Sequence, residues 1–224
     1  QVIVRAVSDW AKHVEREVGR FRDGEARLAD PDDPDARQKQ LTRMGNAAGG
    51  AGLALLMRGD RDEASEWLHR AAEVYRESLA NAPAGSWGRP IGAMKALLLA
   101  DDWAAAEEAA TWTLELGAGE AESPIGRYAA TLALLVLGRD HEAIVHADAI
   151  RTRDDFPSDV GDALAFIAAQ DVVGYGDAVE SVLESFETRD EYLEDIPVAD
   201  TVLVLQALAT RRAIAAELSS PLLP

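Results

Sequence analysis

Cysteine is absent from this chain of 224 residues, which removes disulfides, thiolate nucleophiles and cysteine-based zinc sites together. A reducing, cytoplasmic setting suits such a chain. Aromatic residues are scarce at 6% while apolar residues reach 48%, so Ala, Leu and Val must fill the interior. Ala and Leu lose little rotamer freedom in a helix, and an all-α fold is expected. Lysine is confined to Lys12, Lys39 and Lys95, and 22 basic residues face 40 acidic ones for a net charge of −18. That surface repels phosphate, and without a basic stripe nucleic-acid binding by counterion release is excluded. No apolar run approaches the length that a membrane-spanning helix needs. Residues Gln1 to Arg5 lack the order of a signal peptide and lack an initiating Met, as expected of a trimmed chain without a secretory leader.

What is present is repetition. The stretch Gly52-Leu53-Ala54-Leu55-Leu56-Met57-Arg58-Gly59-Asp60, followed by Ala64, Trp67-Leu68 and Ala71, reads as helix, tight Gly-Asp turn, helix. The same grammar returns at Leu97 to Trp103 leading to Ala106, at Leu137-Gly138-Arg139 leading to Ala143, and more loosely at Tyr175-Gly176-Asp177-Ala178. With Ala64, Ala106, Ala143 and Ala178 as equivalents, the intervals are 42, 37 and 35 residues. These segments resemble tetratricopeptide (TPR) repeats, whose period is about 34 residues. The resemblance implies a TPR-like α-α hairpin array, an α-solenoid, here of about ten helices.

Breakers segment the chain accordingly. Pro31 and Pro34 separate an N-terminal helix within residues 1–30 from the hairpin repeats at 35–190, and Pro197 opens a C-terminal capping helix expected over 197–218. Residues 1–224 thus form one all-helical domain. The first helices of the second and third hairpins, Ile91 to Ala100 and Tyr128 to Leu137, are apolar nearly all round, as is Val198 to Ala209. Such helices must be buried on every side. The terminal helices are therefore expected to fold back over the concave face that an open array would leave wet.

Motifs with chemical content fail on spacing. His141 and His146 stand five apart, about 140° around a helix, and cannot share one metal as residues four apart do. The acidic run Asp30 to Asp35 lacks the glycine and glutamate of a calcium loop. Gly45, Gly49, Gly50 and Gly52 follow no strand and precede no Gly-Lys-Ser/Thr, and Gly85-Ser86-Trp87-Gly88 is not a nucleophile elbow. No catalytic, metal or cofactor site is expected, and the chain reads as a non-enzymatic binding module.

Partner-binding candidates are Trp87 and Arg89, residue types that anchor interfaces, set between Pro83 and Pro90. The competing reading of Trp87 is a plug at the end of the hairpin stack. Tyr192 and Glu194, in the acidic stretch Asp190 to Asp195, form a second candidate that suits a basic partner. The chain also resembles the immunity protein 49 family, through Gly85-Ser86-Trp87 ahead of the helix ending Leu99-Ala100-Asp101-Asp102, and through the tail Leu208 to Arg212 with Ser219 to Pro224. That resemblance implies a protein that binds and neutralises a toxin, a basic one on charge grounds. A self-associating structural domain, hence a homo-oligomer, is the alternative; an enzyme with an unfamiliar site ranks last.

The acidity itself has two readings: a surface adapted to high salt, or a face that steers a basic partner. Under the first, KCl screens carboxylate repulsion and raises the melting temperature between low and molar salt. A flat or falling melting temperature across that range removes salt adaptation.

Overall fold

In the computed structural model, residues 9–28 and 33–224 are described. Gln1 to Arg5 and the Asp30 to Asp32 part of the acidic run lie outside them. Among the described residues the chain forms ten α-helices: α1 Trp10–Arg27, α2 Pro34–Arg58, α3 Arg61–Leu79, α4 Gly88–Leu99, α5 Trp103–Glu115, α6 Pro124–Val136, α7 Asp140–Arg151, α8 Ser158–Ala169, α9 Val172–Thr188 and α10 Asp200–Thr210. Helix starts follow side-chain chemistry. Asp33 accepts hydrogen bonds from the amides of Asp35 and Ala36 with Pro34 in the first turn. Asp102, Ser123 and Asp171 cap α5, α6 and α9 in the same way, each satisfying amides that would otherwise lack partners.

One turn closes all four hairpins. The residues after α2, α4, α6 and α8 that adopt left-handed backbone are Gly59, Asp101, Gly138 and Gln170. Each is followed by an amide that reaches back five residues: Asp60 to Leu55, Asp102 to Leu97, Arg139 to Leu134 and Asp171 to Phe166. This is the Schellman closure, which satisfies the last carbonyls of a helix and reverses the chain. Glycine enters left-handed backbone without penalty, and two of the four turns use it.

The turns also correct the register of the fourth repeat. Ala64, Ala106 and Ala143 each donate their amide to the residue that follows the left-handed position, and in the last hairpin Tyr175 does so to Asp171. Tyr175, not Ala178, is therefore the fourth equivalent, 32 residues after Ala143. Three repeats have alanine where the two helices cross, and the fourth has a fully buried tyrosine.

Each helix packs on the next, while α2, α4, α6 and α8 also touch in succession and make an inner layer. Helix α10 returns to lie against α4, α8 and α9, which covers the apolar inner helices as their composition requires. The phenol of Tyr175 donates to Gln206 of α10 at 2.7 Å. At the N-terminal end α1 packs on α2 alone among the inner helices, counting the described residues, so the expectation that both terminal helices fold back over α4, α6 and α8 holds for α10.

The last helix is shorter than expected. It stops at Thr210 because Ala213 turns left-handed and Ile214 bonds back to Ala209, the same closure again. The tail then runs back along α10, where the Gln206 side chain accepts from the Ala216 amide and donates to the Ala216 carbonyl. Arg212, nearly buried, fastens this turn to Asp140 and to the Leu135 carbonyl.

Glycines separate tight crossings from slack ones. A methyl group at Gly161 of α8 would sit 2.7 Å from the backbone of Arg151, whereas one at Gly176 of α9 would meet nothing within 4 Å. Gly161→Ala is expected to lower unfolding free energy by about 1–3 kcal/mol through overpacking. Gly176→Ala is expected to raise it by about 0.5–1 kcal/mol through helix propensity. Urea melts of the two variants check both signs.

Candidate interaction surfaces

The structure places Trp87 and Arg89 together at the start of α4, but neither projects freely. The indole Nε1 lies so close to Gly126 of α6 that a methyl group there would stand 2.8 Å from it, and the ring packs against the core. Trp87 thus fills the gap between the starts of α4 and α6, which is the plug reading. Arg89 donates to Gln38 of α2, its Nε is buried without a partner, and burial lowers its pKa.

Tyr192 and Glu194 lie together on the segment between α9 and α10, and both face inward. The Tyr192 hydroxyl donates to the Phe186 carbonyl at 2.7 Å. Glu194 pairs with Arg20 of α1, and its carbonyl accepts from Arg16. The same two arginines hold Glu17, a carboxylate with no exposed surface. The segment between α9 and α10, residues 189–199, is a strap that stays down although Glu194 and Asp195 both take left-handed backbone, which costs of order 1–3 kcal/mol each in non-glycine residues. The two candidate pairs bond to different elements.

Beneath the strap lies a cavity of about 90 Å³ between α2, α4 and the start of α10. Tyr75 of α3 reaches it through a slot between Gly45 and Gly92, where methyl groups would come within 2.7 and 2.8 Å of the ring. Its hydroxyl donates to Asn46 at 2.7 Å. Burial raises the Tyr75 pKa, and Glu194 and Asp200 add to the shift. Lys95 donates to Asp200 at 2.5 Å and to Thr201 at 3.2 Å. Burial pulls the lysine down, but the Asp200 carboxylate outweighs it and holds the pKa above the ordinary value. Both groups are moved away from neutrality, opposite to the tuning of a general base. The arrangement pins α10 to α4.

A larger, open cleft of about 450 Å³ separates the α4–α5 turn from the end of α10, lined by Asp101, Trp103, Ala207, Thr210 and Arg211. The Arg211 guanidinium lies 4.4 Å from the Trp103 ring centre and 2.8 Å from Glu107. The indole N–H donates to Asp101 at 3.2 Å. Beside this turn His69 of α3 approaches Asp102 at 2.9 Å through Nε2 and the Ser65 carbonyl at 2.8 Å through Nδ1. Both partners are acceptors, so the doubly protonated ring fits, and Asp102 followed by the Ser65 carbonyl raises the His69 pKa. In the sequence Trp103 marks a repeat and Arg211 belongs to a tail. The signal that could have joined them was the Asp-Asp-Trp turn, but only the return of α10 brings the arginine to it. No family model, curated protein or solved structure matches the chain.

The His69 contact gives a pH dependence with a definite sign. A histidine whose folded pKa is raised stabilises fully below its unfolded value of about 6.5, and the contribution is lost as pH rises through the folded value. The melting-temperature gap between the parent chain and His69→Gln is therefore expected to be wider at about pH 5.5 than at about pH 8.5. An equal gap at both contradicts the assignment.

Proposed function

We propose that this chain is a non-enzymatic protein-binding module on a TPR-like array of helical hairpins, and that its partner is a basic protein. Four hairpins closed by one turn type support the array. The distribution of charge carries the choice of partner. Residues 171–200, comprising α9 and the strap, contain ten acidic residues and Arg189 as the one cation, half of the net charge of −18. Glu194 and Asp200 are paired with Arg20 and Lys95, and among the described residues the other eight have no such partner from a distant helix. Helix α5 has Glu107, Glu108 and Glu115 and no cation. With α10 seated on the inner layer, an incoming protein meets the outer helices and the loop ends. Negative potential there raises the encounter rate of a positively charged partner and penalises an acidic one. The immunity protein 49 resemblance supplies the specific form: a toxin, bound and blocked.

Co-expression with the product of an adjacent gene tests this. The expected result is restored growth and a stoichiometric complex whose association rate falls about tenfold or more between about 50 and 500 mM KCl. A partner that is acidic, or an association rate indifferent to salt, overturns the reading.

A further inference from the structure

We propose that the Trp103 cleft is a docking pocket for an arginine side chain of the partner, and that Arg211 occupies it as a displaceable stand-in. The inference rests on the basic-partner reading above and names the spot where one side chain of that partner sits.

The cleft, at about 450 Å³, falls in the size range of ligand pockets, roughly 300–1,000 Å³. Its chemistry selects a guanidinium. Trp103 offers an indole face, Glu107 a carboxylate beside that face, and Asp101 a second carboxylate on the rim, already fixing the ring through its N–H. A planar cation can stack on the indole and pair with a carboxylate at once, whereas an ammonium is a compact, strongly hydrated charge that cannot stack as a plane. Arg211 makes both contacts now, which shows that the geometry accommodates them.

Displacing it costs little. The Arg211 and Glu107 side chains are 45% and 42% exposed, so their ion pair is weak, and the stacking on Trp103 that Arg211 gives up is remade by the incoming guanidinium. The next residue behaves differently: the Arg212 side chain is 6% exposed and bound to Asp140. Arg212 thus holds the backbone in place while the Arg211 side chain can swing aside. Charge favours the exchange, because Asp101 lines the cleft, Glu107 pairs with its present occupant, and Arg211 is the one cation lining it.

The test uses the full chain, hexa-arginine and hexalysine as probes, and the indole N–H resonance of Trp103, assigned through Trp103→Phe. Hexa-arginine is expected to shift that resonance and to bind at least about threefold more tightly than hexalysine, the lower range of a cation–π contact. Arg211→Ala, which empties the pocket, should widen the preference for arginine, while Arg189→Ala, an equal loss of charge on another element, should leave it unchanged. Binding of both peptides with the Trp103 resonance unmoved overturns the pocket and leaves the basic-partner reading standing. An arginine preference that does not respond to Arg211→Ala also overturns it. If neither peptide binds, the pocket fails, and the salt dependence of the co-expressed complex decides the wider reading separately.

Discussion

The fold depends on one constraint: helices α4 and α6 are apolar on nearly every side and cannot leave their inner face in water. Hairpins alone bury only part of that surface. Helix α10 supplies the rest by returning across α4, α8 and α9. Its placement is specified by polar contacts at both ends and in the middle: Lys95 with Asp200, Tyr175 with Gln206, and Arg212 with Asp140. Dropping any one of them would leave polar atoms in a mostly buried setting, where lost partners are costly. Apolar area drives the return, and these pairs fix its register.

Much of this architecture was legible in the residues. Gly59 and Gly138 announce tight turns, Pro34 announces the start of the hairpins, and Ala64, Ala106 and Ala143 announce the repeat. The fourth turn was missed because Gln170 occupies the left-handed position, and glutamine carries no such signal. The shift from Ala178 to Tyr175 follows directly from that. The end of α10 was placed too late for a related reason. Arg211 to Leu218 has ordinary helix propensity, but the Ala213 turn lets the tail pair with Gln206 instead. Tertiary contact overrode local preference.

Surface chemistry was less legible, because compensation by distant residues leaves no local trace. Glu194 reads as a carboxylate suited to a basic partner, but arginines from a helix almost 180 positions earlier in the chain bind both its carboxylate and its carbonyl. Trp87 reads as an interface anchor or as a plug, and the space that Gly126 leaves for its indole edge has no trace in the local sequence. The same process in reverse created the Trp103 cleft, whose parts stand over a hundred positions apart. Formal charge needs no such compensation to be read, and half of it is concentrated in residues 171–200.

The contacts of α10 also impose an order on assembly. Each hairpin pairs neighbours in sequence, so the stack can grow locally and quickly as the chain leaves the ribosome. Lys95 and Asp200, by contrast, are separated by 105 positions, and their meeting must await synthesis of the last helix. Until then the inner faces of α4, α6 and α8 stand bare, and the growing chain passes through a stage in which its greasiest surface is uncovered. The dense negative charge of the outer helices keeps such unfinished chains apart by mutual repulsion.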